Sequence, residues 1–106
     1  SYPQASLVVR SGFQEEHPEY TAEFIGEFAR SVKAAVDDPE AAGKAVAVIA
    51  PEMNADIMAM GIPRMNLEFV GAVQARSSLE AYFRVLEAFD PATIGGKLPE
   101  DDFYIP

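Results

Sequence analysis

Residues 77–106 read SSLEAYFRVLEAFDPATIGGKLPEDDFYIP, and this stretch holds the strongest structural signal in the chain. Its apolar residues recur at helical spacing, which predicts an amphipathic helix that ends at Asp90 and Pro91. The SSLE at residues 77–80 fits a capping box, in which a serine hydroxyl and a glutamate satisfy the free backbone amides of a helix start. We expect an extended tail over residues 91–106, with the glycines at 95–96 as its pivot.

Length, composition and charge exclude several classes of function. The chain has 106 residues, of which 49% are hydrophobic, so the composition is globular and the length fits at most one domain. There are 17 acidic and 8 basic residues, and the net charge of -9 argues against binding nucleic acid or an anionic membrane surface. The absence of cysteine excludes disulfides, thiolate catalysis and zinc–thiolate sites.

The beginning of the sequence gives one expectation about processing. No run of apolar residues is long enough for a membrane span, and the first residues show no signal-peptide pattern. The chain starts at Ser1 without an initiator methionine. We therefore expect a processed or truncated chain.

Two stretches favour extended backbone. Residues 5–10 (ASLVVR) contain two valines between Pro3 and Gly12, and this pattern predicts a buried strand. Residues 64–73 alternate in part between apolar and polar positions, which indicates a second extended passage. A single buried strand followed by helices is typical of the end of a larger sheet.

Three further helices follow from start signals and apolar spacing. Residues 17–19 (HPE) and 38–40 (DPE) each place a proline in the first helical turn, with an acid beside it. The first of these helices carries apolar residues at every fourth position, and the second reaches Ala50. A short third helix covers residues 52–60, with Asn54 as its cap. The predicted fold class is mainly helical with one or two short strands, an α/β fragment.

The candidate ligand-binding residues are Arg64 and Asn66. They form the one polar spot within an apolar region. A guanidinium can bind a carboxylate, sulfonate or phosphate with two hydrogen bonds, and an asparagine can orient an amide or hydroxyl of a ligand. The alternative is that Arg64 caps the helix before it.

No other pattern predicts chemistry, so we expect no catalytic residue, no metal site and no cofactor. His17 is the only histidine and stands at a helix start, where capping or surface exposure is usual. The acid pairs at 37–38 and 101–102 lack the spacing of an oxygen-ligand loop and are typical of solvated helix ends. The GGK at 95–97 lacks the spacing of a phosphate-binding loop. We expect the four methionines to fill core space: Met53, Met58, Met60 and Met65.

Several segments, taken in order, resemble one protein family. The chain is similar to the C-terminal end of substrate-binding proteins of bacterial ABC importers, in the group that includes nitrate, sulfonate, taurine and thiamine-precursor binders. The segments that carry the resemblance are residues 7–10 (LVVR), Phe13, residues 15–19 (EEHPE), Phe24, Phe28, residues 38–42 (DPEAA), residues 79–89 and residues 94–104.

The resemblance implies the C-terminal part of a type-2 periplasmic-binding-protein fold and a non-enzymatic role in solute transport. The implied partners of the full-length protein are a small solute and an ABC permease, with no nucleic acid. The implied location is periplasmic or extracellular, with a lipid anchor as one option for the full-length protein. Because most of the family's sheet would lie outside this chain, apolar helix faces would be left open, so we expect the isolated chain to form a homo-oligomer.

Two alternatives stay open from the sequence. One is part of a biosynthetic enzyme with the same fold, of the thiamine-pyrimidine or menaquinone kind, although the pyrimidine synthases carry a cysteine-rich motif and this chain has no cysteine. The other is a small helical interaction module whose resemblance to the family is fortuitous.

Overall fold

The computed structural model describes residues 3–106, and every regular element in that range is a helix. Helices contain 69% of the described residues, and strands contain 0% of them. The α helices are α1 (Ser11–Glu16), α2 (Pro18–Asp37), α3 (Pro39–Ile49), α4 (Ala55–Gly61) and α5 (Ala72–Phe89), and short 3-10 helices lie at Ile62–Arg64, Pro91–Ile94 and Asp101–Phe103. The predicted fold class, an α/β fragment of a type-2 periplasmic-binding-protein fold with one or two strands, is therefore wrong.

The strand predicted over residues 5–10 does not form. This segment has no regular structure, and Val8 in it is 80% exposed. A strand exists through hydrogen bonds to a neighbouring strand, and the described residues provide no such neighbour. Valine favours a pleated and half-buried environment, but this preference has no effect where nothing pairs with the segment.

The extended passage predicted over residues 64–73 is also wrong as a strand. Arg64 ends a 3-10 helix and Val73 already lies in α5, while residues 67–70 have no regular structure. Proline at position 63 fits a helical turn because its ring fixes φ near the helical value. The apolar alternation covers too few residues to override that local signal.

The helix starts marked by proline and polar caps are confirmed. Pro18 and Pro39 occupy the first turns of α2 and α3. The side chains of Asp38 and Asn54 each accept a hydrogen bond from the backbone amide three residues later, at 3.1 and 3.0 Å. Each cap satisfies an amide that the helix itself leaves free, which is why these starts could be located from sequence.

The start of α5 differs from the prediction. The helix begins at Ala72, upstream of the serines at 77–78, with Gly71 at its N-cap and no capping side chain. Glu80 does not close a capping box, because its carboxylate accepts a hydrogen bond from Arg76 Nε at 2.9 Å. The short helix α1 has no counterpart in the sequence prediction.

The chain divides into two compact units. We call Ser11–Phe69 the helical unit, and the described residues up to Arg10 together with Val70–Pro106 the tail unit. In the helical unit, α3 and α4 form the most extensive helix contact, because Gly43 leaves no side chain between them. A Cβ at position 43 would overlap the carbonyl oxygen of Ala55 and lie 3.1 Å from the amide nitrogen of Ala59.

Few side chains are buried in either unit. The buried ones are Thr21 and Ile62 in the helical unit, and Ala75 and Tyr104 in the tail unit. No large side chain among the described residues is completely buried. Apolar side chains at helix ends are strongly exposed, and the largest exposed fractions belong to Val48, Ile49 and Phe89.

The total exposed area is large for the length of the chain. The chain exposes 8319 Å². A compact monomer of 11.5 kDa exposes roughly 5,800 Å², and two separate compact units of half that mass expose about 7,000 Å² together. Because the observed area exceeds both values, the chain leaves more surface uncovered than self-sufficient domains of this mass, and exposed apolar side chains contribute to it.

Candidate functional site

The predicted ligand residues Arg64 and Asn66 lie on the surface of the helical unit. Arg64 ends the 3-10 helix Ile62–Arg64, and Asn66 follows in a turn with φ of 51°. Asparagine is among the residues that tolerate this left-handed conformation. Both side chains are exposed, and within the described residues neither makes a hydrogen bond or ion pair. The guanidinium is therefore free to contact an anion, but no other side chain holds it in a fixed position.

A shallow apolar groove lies beside this turn in the helical unit. Its volume is about 310 Å³, and its walls are one face of α2 and the segment 67–69. The lining residues are Ala29, Val32, Lys33, Val36, Leu67, Glu68 and Phe69. Phe28 of α2 packs edge-on against Phe69, with ring centroids 6.0 Å apart. Such a groove can accept apolar side chains, whereas it lacks the convergent polar groups of a small-molecule site.

The most connected polar cluster belongs to the tail unit and centres on Arg76. Its Nε donates to Glu80 at 2.9 Å, and its Nη1 lies 2.8 Å from a carboxylate oxygen of Asp101. The guanidinium carbon also stands 4.6 Å from the centroid of the Tyr104 ring, a cation–π geometry. Together these contacts fix one arginine on three sides.

The environment of this cluster changes two pKa values. Burial raises the pKa of the Tyr104 hydroxyl above its ordinary value; the Glu80 carboxylate adds to the increase, and Arg76 opposes it. The hydrogen bonds that Arg76 donates to the carboxylates of Glu80 and Asp101 raise the pKa of its guanidinium, which therefore stays charged. The Tyr104 hydroxyl is buried without a bonded partner among the described residues, which costs free energy.

An open cleft of about 490 Å³ adjoins the cluster. It is lined by Arg76 and by four successive tail residues, Pro99, Glu100, Asp101 and Asp102. Among the described residues that line the cleft, Arg76 is the one cation, and it is already paired with two carboxylates that an anionic ligand would have to displace. The ion pairs of Arg76 therefore serve to hold the tail in place, and they leave the cleft poorly suited to an anionic ligand.

Most of the residues to which the sequence assigns no chemical role lie on the surface. His17 is exposed at the start of α2, and its nearest acidic partner is Glu16 at 3.9 Å. The described residues contain no group of histidine and acidic side chains that could hold a metal ion. Three of the four methionines predicted to fill a core, namely Met53, Met60 and Met65, are exposed instead. Asp101, which the sequence predicts to be solvated, is 92% exposed and also pairs with Arg76 at 2.8 Å.

Sequence reasoning does not find the Arg76 cluster. The Arg76–Glu80 spacing of one helical turn was visible in the sequence, since such pairs face each other on a helix. Asp101 and Tyr104 reach the same arginine from the far end of the chain, and no local pattern signals that return. Arg64 and Asn66, by contrast, are close in sequence and remain a predicted ligand pair.

Comparison of the chain with protein-family models, with curated proteins and with solved structures finds no match. Among the described residues, no helix combines the length and apolar character needed to cross a membrane.

Proposed function

We propose that this chain is the C-terminal segment of a solute-binding component of an ABC importer, and that it catalyses no reaction. The observation that carries the proposal is the uncovered surface: 8319 Å², against about 7,000 Å² for two compact units of the same total mass. Helices that pack on the remainder of a larger protein leave such faces open when that remainder is absent. The order of the sequence segments that resemble this family supports the same assignment.

The uncovered faces are spread over four helices. Each of these helices carries exposed apolar side chains, among them Tyr20 and Phe24 on α2, Val48 and Ile49 on α3, Ile57 and Met60 on α4, and Val85 and Phe89 on α5. The excess of at least roughly 1,300 Å² is larger than the ~800 Å² that each partner buries in an interface of standard size. An area of this size favours a permanent covering by other parts of the same protein over a transient contact.

Within the proposed function, Arg64 and Asn66 are the ligand-facing residues of this segment. Their support is the free guanidinium of Arg64 and its position two residues from an asparagine held in a turn. An anionic solute such as a sulfonate or carboxylate suits a guanidinium that has no internal partner. The main solute contacts would come from the remainder of the protein.

The proposed partners of the full-length protein are a small solute and an ABC permease, in the periplasm or outside the cell. Taken alone, the chain should self-associate, because burying apolar faces between copies removes them from water. The acidic net charge of -9 opposes association without preventing it at moderate salt.

The test of the proposed function is the coding sequence upstream of this chain, followed by a binding measurement. We expect further coding sequence upstream of the chain, and permease and ATPase genes nearby. The full-length protein should then show a thermal shift with one member of a panel of nitrate, sulfonates, carboxylates and pyrimidines. An Arg64→Gln variant should lose part of that shift, while Arg84→Gln, a change on an exposed arginine of α5, should keep it. A short complete gene outside a transport operon would contradict the proposal.

A small helical interaction module is the second candidate. The all-helical structure and the apolar groove between α2 and residues 67–69 favour it. This candidate predicts that the 106-residue chain folds alone and binds an apolar helix or peptide with 1:1 stoichiometry. Analytical ultracentrifugation of the isolated chain separates the two proposals, since a segment of a larger protein should instead form homo-oligomers of several sizes.

A further inference from the structure

The last ten residues of the chain are held against α5 by side chains that converge on one arginine. We call residues 97–106 the strap. Asp101 of the strap pairs with Arg76 at 2.8 Å, and the Tyr104 ring stacks on the same guanidinium at 4.6 Å. Phe103 packs edge-on against Phe83 of α5, with centroids 6.5 Å apart. Tyr104 is only 5% exposed, so the strap is docked in spite of its irregular backbone.

Two glycines separate the strap from a segment that is fixed to α5 by contacts of its own. In the 3-10 helix Pro91–Ile94, the Thr93 hydroxyl donates to the carbonyl oxygens of Leu86 and Asp90, at 3.2 and 2.7 Å. Gly95 and Gly96 follow with φ of 77° and 97°. Glycine adopts this left-handed backbone at little cost, so the chain can change direction here without strain.

From these contacts we propose that the strap is a closing device: residues 97–106 swing as one body about Gly95 and Gly96, and Arg76 latches the closed state. The strap has its own short turn, in which the amides of Phe103 and Tyr104 donate to Glu100 and Asp101 at 3.1 and 3.2 Å. It can therefore keep its local structure when it leaves α5. This inference is independent of the proposed transport function.

The latch combines a contact that salt screens with contacts that salt does not screen. The Asp101 side chain is 92% exposed, so its attraction to Arg76 weakens as ionic strength rises. The Tyr104 stack and the Phe83–Phe103 contact are largely independent of salt. Salt alone should loosen the strap without opening it. Opening should require either the loss of Arg76 or the arrival of an apolar surface that competes for Phe83.

Hydrogen exchange followed by mass spectrometry tests the proposal on the purified protein. In Arg76→Gln, strap amides should exchange about tenfold faster, because the variant loses both the cation–π contact with Tyr104 and the ion pair with Asp101. The amides of α5 should keep their protection. Arg84→Gln removes an arginine of the same helix that makes no contact of these kinds among the described residues, and it should leave the strap unchanged.

Two outcomes would overturn the proposal: strap exchange in Arg76→Gln equal to that of the unmodified protein, or equal acceleration in the strap and in α5. If Arg76→Gln prevents the tail unit from folding, Asp101→Asn decides the question, because Asp101 is exposed and its change leaves the Tyr104 stack in place. Faster strap exchange with a protected α5 in Asp101→Asn supports the device. Unchanged strap exchange in that variant overturns it.

Discussion

The α3–α4 pair of the helical unit and the docked strap of the tail unit hold together in opposite ways. The helix pair depends on a missing side chain, because Gly43 lets α4 approach the backbone of α3. The strap depends on large side chains that are present, above all Arg76 and Tyr104. The helix pair should therefore be sensitive to added atoms, and the strap to removed atoms. Substitutions in the two regions should therefore have opposite requirements.

The largest effect is expected from Tyr104→Ala in the tail unit. This change removes the most buried aromatic ring among the described residues and should lower the free energy of unfolding by about 3 kcal/mol. Urea unfolding followed by circular dichroism measures it. A loss below about 1 kcal/mol would mean that the strap contributes little to the stability of α5.

Tyr104→Phe is the matched control. It keeps the ring and its stack on Arg76 and removes only a buried hydroxyl that has no bonded partner among the described residues. Its free energy of unfolding should equal or slightly exceed that of the unmodified chain, because no hydrogen bond is lost. A strong destabilisation by this variant would show that the hydroxyl, and not the ring, holds the strap.

The second effect is expected from Gly43→Ala in the helical unit. The added Cβ would overlap the Ala55 carbonyl oxygen, which is backbone and cannot rotate away. Separation of α3 and α4 should cost about 2 kcal/mol, even after the better helix propensity of alanine is counted. Thermal unfolding should show the loss, and a variant as stable as the parent would contradict the close backbone contact.

Gly26→Ala in α2 is the control for that experiment. A Cβ at this position would meet only the flexible guanidinium of Arg30, at 3.6 Å or more. The same chemical change should therefore stabilise the chain, by about 1 kcal/mol from helix propensity. Opposite signs at the two glycines would separate the packing effect from the propensity effect.

The third effect concerns the caps that begin α3 and α4. Asp38→Ala and Asn54→Ala each remove a side-chain acceptor from a helix amide and should each cost about 1 kcal/mol. Glu52→Ala changes an exposed residue just before α4 that makes no contact of these kinds among the described residues, so it should be near neutral. Helix content at increasing temperature measures all three variants. If Glu52→Ala and Asn54→Ala lost helix content at the same temperature, the Asn54 cap would contribute nothing to the stability of α4.

The same difference explains how much of the structure could be predicted. The starts of α2, α3 and α4 were predictable because proline and capping residues act within one helical turn. The strand predicted at residues 5–10 was wrong, because a strand needs a distant partner and a local pattern cannot show whether that partner exists. The contacts of Asp101 and Tyr104 with Arg76 were missed for the same reason: their partner lies far away in sequence. Arg64 and Asn66 stay a prediction.

The smallest effect is expected from ionisation of Tyr104, and it tests whether the ring is as enclosed as the docked strap implies. Burial raises the pKa of this hydroxyl above 10.0, so the unfolded chain loses this proton at a lower pH than the folded chain does. The stability contribution is complete below about pH 10 and declines as the pH rises through the folded-state pKa. Tyr104→Phe lacks the group, so the parent should lose stability relative to this variant only in that alkaline range.

Tyrosinate absorbance gives an independent measurement of the same ionisation. The chain contains four tyrosines, and the parent spectrum minus that of Tyr104→Phe isolates the contribution of Tyr104. Its midpoint should lie above 10.0 in the folded protein and return to the ordinary value in Arg76→Gln if the strap opens. Removing the arginine takes away a charge that lowers this pKa, whereas opening the strap takes away the burial that raises it. Because burial is the larger cause, a fall in the midpoint indicates opening, and a rise indicates that the strap stays closed without its latch.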